Sequence, residues 1–187
     1  MRSAQWHGVQ KLLGVVLCLA TWQAPVRGAT LELLSLSDLI AKSTTIVQAQ
    51  VTGSSASYSG TVIYTHYQIS VLAQWKGPTQ NTIDVMVPGG TANGVRQTYP
   101  GAPQLVPGQQ YVLFLWTSRQ GWTYTMGFTQ GVFNLLQDAS GNVTAAQMAT
   151  TETILAPGTG QVVKNQPIGM PLAQLTSAII AGGTTQP

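Results

Sequence analysis

Hydrophobic and polar residues alternate along much of this chain, which is the pattern of half-buried β-strands. The clearest segment is residues 61–75 (TVIYTHYQISVLAQW), where β-branched and aromatic residues dominate. Its positions divide into an apolar face and a more polar face, with Ile63, Thr65, Tyr67, Ile69 and Val71 on the first and Val62, Tyr64, His66, Gln68 and Ser70 on the second. This segment predicts a long strand with one face in the core.

Three further segments predict strands. Residues 46–51 (IVQAQV) alternate partly, and residues 82–87 (TIDVMV) end at a Pro-Gly-Gly break. Residues 111–116 (YVLFLW) are continuously apolar, which is typical of a strand buried on both faces. We therefore expect residues 111–116 to form the central strand.

Turn-forming residues separate these segments. Residues 53–60 (GSSASYSG) predict a turn between the first two strands, and residues 138–141 (DASG) predict another. Residues 122–126 and 131–136 are expected to form a further hairpin. Residues 88–109 are rich in Gly and Pro and show no periodicity, and a loop of about 20 residues inside a small domain is often functional.

Helical patterns lie on both sides of the strand-rich region. Ser35 and Asp38 have the spacing of a capping box, and Lys42 follows in the last turn, where it complements the helix dipole. Near the C-terminus, Pro171 at a first helical position and apolar residues at helical spacing predict a short helix near 171–181. At about ten residues, this second helix is too short to anchor the chain in a membrane.

These segments together predict one all-β domain with flanking short helices over residues 29–187. No internal repeat is visible, and strands do not alternate with helices, which argues against a parallel sheet. A small antiparallel barrel that is OB-fold-like fits this pattern, and a β-sandwich is the alternative.

The first 28 residues have the features of a signal peptide. Basic residues flank the start of the chain, and the apolar run 12–22 has 11 residues, about half of the ~20 that span a bilayer. Small residues at the last and third-last positions favour cleavage after Gly28. Residues 1–28 are therefore predicted to be a signal peptide, and the protein is expected to be secreted, periplasmic or at the cell surface, with no stable membrane anchor after cleavage.

The charge pattern argues against nucleic acid as a partner. The chain has 8 Lys and Arg against 5 Asp and Glu, but Arg2, Lys11 and Arg27 lie in the leader, so 5 basic and 5 acidic residues remain. Binding of a phosphate backbone needs clustered basic residues, and none survives this subtraction. Cys18, the only cysteine, also lies in the leader, so the mature chain offers no disulfide and no thiol ligand.

The mature chain offers little catalytic chemistry. His66 is its only histidine, so a site with several histidines is excluded, and a nucleophilic serine would have a single imidazole to pair with. The acidic residues are scattered along the chain: Glu32, Asp38, Asp84, Asp138 and Glu152. We therefore predict no catalytic residue, no metal and no cofactor, and we expect a protein that is not an enzyme. A hydrolase or metal enzyme built on His66 is the alternative.

Several short motifs resemble a group of secreted bacterial proteins of unassigned function, over roughly residues 33–136. The motifs are Trp75-Lys76-Gly77, Val87-Pro88-Gly89-Gly90, Pro107-Gly108-x-x-Tyr111 and Gln130-Gly131-x-Phe133. More distantly, the chain is similar to the netrin-like module of the tissue inhibitors of metalloproteinases, which implies an OB-fold barrel. Those inhibitors chelate the protease zinc through an N-terminal cysteine. The mature chain has no cysteine, so the resemblance does not carry that chemistry over.

Candidate binding residues are aromatic or lie in the long loop. Trp75, Tyr99 and Trp122 occur at predicted strand ends or within residues 88–109, and Arg96 is close to Tyr99. The alternative for the two tryptophans is that they plug the ends of the barrel. We predict a secreted, non-enzymatic binding module that presents residues 88–109 to a protein partner, with a protease-inhibitor-like role as one form of it. A glycan-binding barrel that uses exposed aromatic residues is the alternative.

Overall fold

One sheet of eight strands organises the chain. The structure is a computed structural model, which describes residues 30–150, 152–164 and 166–183, so the predicted signal peptide lies outside the described residues. The strands are β1 (Thr30–Glu32), β2 (Thr45–Ser59), β3 (Val62–Lys76), β4 (Thr82–Pro88), β5 (Gly90–Ala92), β6 (Val95–Gln97), β7 (Gln110–Thr117), β8 (Thr123–Thr125), β9 (Val132–Gln137), β10 (Val143–Gln147), β11 (Thr153–Leu155), β12 (Val162–Val163) and β13 (Gly169–Pro171). The helices are α1 (Leu36–Lys42) and α2 (Leu172–Gly183), and a 3₁₀ turn spans Phe128–Gly131.

Five strands of the large sheet form a partly closed ring. The sheet order is β13-β10-β9-β7-β2-β3-β4-β8, and a further pairing of β8 with β7 closes the ring β7-β2-β3-β4-β8. The pairings in the ring are antiparallel except for one parallel contact between β4 and β8. A five-stranded, partly open barrel is the general architecture of the OB-fold. The prediction of an all-β, barrel-like fold with flanking short helices is confirmed.

Two hydrophobic clusters account for the two buried faces of β7. Alternate residues such as Val47, Val85 and Leu113 point into the barrel. The intervening residues of β2 and β7, together with β9 and β10, pack against the helices, and Phe114 and Phe133 lie 5.5 Å apart there, ring centre to ring centre. Residues 111–115 are buried on both faces as predicted, since they alternate between the two clusters.

The capping box predicted for the first helix is present. Ser35 accepts a hydrogen bond from the Asp38 backbone, and the Asp38 carboxylate accepts one from the Ser35 backbone. At the other end of α1, the Lys76 ammonium group donates to the Ile40 and Ala41 carbonyl oxygens at 2.7 and 3.1 Å. This contact ties the end of β3 to the helix, and α2 lies close to the range predicted near 171–181.

Two expectations about turns differ from the structure. The predicted hairpin between the first two strands forms, but a turn over most of residues 53–60 is absent: β2 continues to Ser59, which pairs with Val62, and of these residues only Gly60 lies in the turn. The long partner strand supplies backbone hydrogen bonds whatever the side chains are, so a Gly- and Ser-rich segment remains extended. The predicted hairpin of residues 122–126 and 131–136 is absent as well. β8 pairs with β7 and β4, while β9 pairs with β7 and β10.

The pairing of both segments with β7 explains the second difference. The chain bends between β8 and β9 at the 3₁₀ turn, and a Cβ atom at Gly131 would clash with the Met126 carbonyl oxygen. The two segments pair with successive stretches of the same edge of β7, β8 with residues 115–117 and β9 with residues 111–113, so they do not pair with each other. The turn predicted at residues 138–141 does form, and the Asp138 carboxylate accepts hydrogen bonds from the backbone of Ser140 and Asn142, both at 2.9 Å.

Candidate functional site

The four predicted binding residues lie in three different places. Arg96 and Tyr99 line one cleft at the long loop. Trp122 belongs to a cluster of aromatic side chains on the outer face of the barrel. Trp75 is partly buried against the hydrophobic cluster beneath the helices, which makes it a packing residue.

The aromatic cluster consists of Tyr64 on β3, Trp116 on β7, Tyr124 on β8 and Trp122 just before β8, and we call it the aromatic face. The rings of Trp116 and Tyr124 lie 6.1 Å apart with planes inclined by 26°. The Tyr64 ring stands edge-on to Tyr124 at 6.4 Å. Trp116 is 44% exposed and Trp122 38% exposed, so the two largest rings of the face remain open to a ligand.

A tight turn fixes the position of Trp122. The Ser118 backbone N–H donates to the Trp122 carbonyl oxygen at 2.8 Å, and the Trp122 N–H donates to the Ser118 hydroxyl at 3.1 Å. The hydroxyl groups of Thr117 and Thr123 lie 3.0 Å apart across the base of this turn. These contacts fix the backbone of Trp122, so the turn that carries the indole needs little ordering when a ligand binds.

The aromatic face borders a shallow recess of about 550 Å³. Ser59, Ser118 and Gln120 add hydroxyl and amide groups to its lining. Burial, with a smaller contribution from neighbouring Tyr64, raises the pKa of Tyr124 above its ordinary value, at which a phenol is already protonated at neutral pH. The recess thus combines flat apolar rings with neutral hydrogen-bonding groups.

His66 and Asp84 form a pair on the same outer surface of β3 and β4. The His66 Nδ1 and an Asp84 carboxylate oxygen lie 2.8 Å apart, and the side chains are 24% and 44% exposed. His66 is thus the partly exposed strand residue expected from its place on the polar face of β3. No cluster of three or more His, Cys, Asp or Glu side chains suited to a metal occurs in the described part of the chain.

Residues 88–109 are not structureless, contrary to expectation. They begin with the small hairpin of β5 and β6, and Leu105 then enters the barrel core. The Gln97 amide accepts from the Ile63 N–H at 2.7 Å and donates to the Thr61 carbonyl at 2.9 Å. These contacts fasten the hairpin to the start of β3.

Two buried tyrosines fasten the second half of this loop. The Tyr67 hydroxyl is hydrogen-bonded to the Leu105 backbone, and the Tyr111 hydroxyl accepts from the Val106 N–H at 3.0 Å. Both phenol rings come from barrel strands and are buried. The backbone of this part of the loop belongs to no strand of the large sheet, and these side-chain hydrogen bonds hold it in place. The loop therefore packs against the end of the barrel.

The fastened loop encloses a cleft of about 210 Å³, which we call the loop cleft. Arg96, Tyr99 and Gln104 lie at its sides, and Thr65 and Tyr67 belong to β3 beneath it. Within the described residues, the Arg96 side chain has no hydrogen-bond or ion-pair partner. The structure therefore brings together the two loop residues that the sequence singled out.

Three residues of the aromatic face were missed by sequence reasoning. Trp116 was expected to be buried with the rest of residues 111–116, but it lies beyond the part of β7 that the helices cover. Tyr64 was correctly placed on the polar face of β3, and that position was the available signal. Tyr124 joins them only through the pairing of β8 with β7, which no local pattern indicates.

No protein-family model matches the chain, and no curated protein matches it. The netrin-like resemblance therefore stays a prediction. Among the described residues, no helix has the length and apolar character needed to cross a membrane.

Proposed function

We propose that this protein is a non-enzymatic binding module that holds a saccharide on its aromatic face. The observation that carries the proposal is a group of three rings, the exposed Trp116 and Trp122 and the half-buried Tyr124, set beside neutral polar groups in one recess. Sugar rings have apolar C–H faces that pack on aromatic rings and hydroxyl edges that need hydrogen bonds. The face offers both kinds of contact without any rearrangement.

The place of the aromatic face in the barrel supports the same ligand class. Counted along the ring strands in chain order, β3 and β4 are the second and third strands, and the turn carrying Trp122 joins the fourth and fifth. OB-folds bind oligonucleotides and oligosaccharides on the face of these two strands and with the loops after the first and fourth. This support is an analogy between folds, and the rings themselves remain the physical argument.

Charge favours a saccharide over a nucleic acid. Single-stranded nucleic acids are held by stacked aromatic rings together with a groove of clustered basic residues. The turn beside the aromatic face contains Arg119, but the same outer surface carries the Asp84 carboxylate. A neutral surface of this kind suits a neutral sugar chain, and the predicted export of the protein would bring it into contact with extracellular glycans.

The test is calorimetric titration of the purified protein against a panel of neutral oligosaccharides. We expect at least one binding sugar, and Trp122→Ala should lower its affinity roughly tenfold, about 1.4 kcal/mol. Tyr58→Ala is the matched control, because Tyr58 is 40% exposed and lies outside the recess. A panel without binding, or equal losses in both variants, would contradict the proposal.

A second candidate function is the presentation of residues 88–109 to a protein partner. It is favoured by the rigid fastening of this loop around the loop cleft, because a preformed surface binds without paying for its own ordering. Cross-linking followed by affinity capture would test it with Arg96→Ala/Tyr99→Ala as the control. Loss of a single defined partner in the control supports this function, and equal capture by both forms argues against it.

A further inference from the structure

We infer that the loop cleft binds a carboxylate group, with Arg96 as its counter-charge. This inference deepens the second candidate function, since an acidic side chain or a chain terminus of a protein partner would supply such a group. It also applies to a small carboxylate that belongs to no protein. The saccharide proposal is independent of it, because the two sites differ in their charged and aromatic side chains.

The charge of Arg96 is not neutralised by any described residue. Lys42 lies 4.0 Å from Asp38, and Lys76 caps the C-terminal end of α1, so these two cations have partners. Arg96, Arg119 and Lys164 are exposed and have no partner within the described residues, and of these three cations Arg96 is the one that lines the cleft. A guanidinium group presents a planar fork of N–H donors that matches a carboxylate.

The walls of the cleft favour a ligand with negative charge. None of the described residues that line the cleft is acidic. Glu152 lies against Gly101 and is outside this lining. Apart from the residues that hold the loop in place (Thr65, Tyr67 and Gln97), the lining offers four side chains with neutral donors: Thr91, Thr98, Tyr99 and Gln104. A ligand with negative charge therefore meets attraction from Arg96 and no carboxylate in the lining.

The single cation of the cleft favours a carboxylate over a phosphate. A phosphate monoester carries about −1.5 to −2 charges at neutral pH, and a site for it normally adds several basic residues or free backbone N–H groups. The loop cleft has one cation, and the Gly89 N–H is already donated to the Ile63 carbonyl at 2.7 Å. One arginine balances one carboxylate.

The cleft is preformed by hydrogen bonds between the hairpin and β3. The Thr65 hydroxyl donates to the Gly89 carbonyl at 2.8 Å, and Gln97 holds the hairpin from the other side. Gly90 has a φ of +131°, and a Cβ there would lie 2.5 Å from the Thr65 hydroxyl oxygen. The hairpin is thus seated closely against β3, and a ligand does not have to create the cleft.

The experiment is an NMR titration of the isotope-labelled protein at low ionic strength with three short capped peptides. One peptide, Ac-Ala-Glu-Ala-NH₂, carries a side-chain carboxylate; Ac-Ala-Ala-Ala-OH carries a terminal one; Ac-Ala-Gln-Ala-NH₂ carries none. We expect one or both acidic peptides to shift signals of Arg96, Thr98 and Tyr99, and the neutral peptide to leave them unchanged. If only one of the two acidic peptides binds, it shows whether the cleft takes the carboxylate of a side chain or that of a chain terminus.

Variants separate a specific site from general attraction. Arg96→Gln should lower the affinity of the acidic peptide about tenfold, and Arg96→Lys should restore it only in part, because an ammonium group lacks the planar fork. Arg119→Gln removes the same charge from an exposed turn outside the cleft and should have no effect. Three outcomes would overturn the inference. The neutral peptide binds as tightly as the acidic ones, no peptide shifts any signal, or Arg96→Gln and Arg119→Gln lose equal affinity for the acidic peptide.

The same variants keep this inference distinct from the second candidate function. Carboxylate binding that depends on Arg96, without capture of any protein, supports the inference and argues against a protein partner. Capture of a defined partner that survives Arg96→Gln, without signal shifts by either acidic peptide, supports the partner and overturns the carboxylate site. A circular dichroism spectrum that matches the unmodified protein shows that the exposed substitution leaves the fold intact.

Discussion

The aromatic face and the loop cleft are two candidate binding regions built in different ways. The rings of the aromatic face stand on or beside strands of the barrel, so the backbone ladder fixes their positions. The loop cleft is formed by a segment with a two-stranded hairpin, which is held to the barrel by the side chains of Gln97, Thr65, Tyr67 and Tyr111. The comparison shows how side-chain hydrogen bonds in both directions, from barrel residues to the loop backbone and from Gln97 to the barrel backbone, hold a loop against the barrel.

The two regions also differ in the physical force available for binding. The aromatic face offers apolar area and neutral hydrogen bonds. The loop cleft offers one guanidinium group without a partner among the described residues. The first should therefore be insensitive to salt and the second sensitive to it. The following predictions are ordered from the largest expected effect to the smallest.

Gly90→Ala should damage the loop cleft most. Its Cβ would meet the Thr65 hydroxyl at 2.5 Å on a backbone with a φ of +131°, and we expect a loss of about 2–4 kcal/mol in the free energy of unfolding. Urea denaturation measures this loss. Gly94→Ala is the control, since Gly94 has a φ of +76° with no atom near the added Cβ. Equal losses in both variants would show that close packing on β3 is unimportant.

Gln97→Leu should loosen the hairpin without touching the aromatic face. The Ile63 N–H and the Thr61 carbonyl would lose their partner, at a cost of about 1–2 kcal/mol. Denaturation gives the cost, and hydrogen exchange should become faster in residues 90–97. If saccharide affinity fell together with carboxylate affinity, the two regions would not be independent.

Salt should separate the two binding regions. Raising the ionic strength from 0.01 to 0.15 M shortens the screening length from about 30 to about 8 Å, so carboxylate affinity should fall severalfold. Saccharide affinity should stay within about twofold, because that ligand carries no charge. Titration at both salt concentrations checks this, and an equal salt dependence of the two ligands would remove the distinction.

Alkaline pH should destabilise the protein through Tyr67. Burial raises the pKa of Tyr67, so the unfolded chain releases the phenolic proton before the folded chain does. The stability from this group is present below pH ~10 and is lost as the pH rises through the folded pKa. Denaturation at pH 9 and pH 11 should show a smaller loss in Tyr67→Phe than in the unmodified protein, and identical losses would contradict this.

Acid pH should have the smallest effect. The hydrogen bonds from Ser35, first that of its side chain, lower the pKa of Asp38, with a further contribution from Lys42. Stability from this carboxylate is present above pH ~3.8 and is lost as the pH falls through the folded pKa. Asp38→Asn should flatten the acid side of the stability curve by less than about 1 kcal/mol, given the exposure of the pair. An unchanged curve would show that the capping box contributes nothing.

The features that sequence reasoning predicted are local ones. The alternation in residues 61–75 and the continuous apolar run of residues 111–115 follow directly from which faces of a strand are buried. The capping box depends on Ser35 and Asp38, which are three positions apart. Arg96 and Tyr99 lie in one loop, so their proximity was predictable as well.

The features that sequence reasoning missed depend on pairing between strands that are distant in the sequence. Residues 53–60 are of types that favour turns, yet residues 53–59 form backbone hydrogen bonds with β3 and remain extended. No local sequence pattern indicates this pairing. Trp116, Tyr124 and Tyr64 converge from three strands through the closure of the barrel. The aromatic face is therefore a product of topology, which a single sequence does not specify position by position.

The most direct test of the saccharide proposal is an NMR titration that follows the indole N–H signals of Trp116, Trp122 and Trp75 during addition of a bound oligosaccharide. The account predicts shifts of Trp116 and Trp122, with Trp75 unchanged, because Trp75 packs beneath the helices. Shifts confined to Trp75 or to the loop cleft, with the two exposed indoles unmoved, would contradict the assignment of the aromatic face as the binding site.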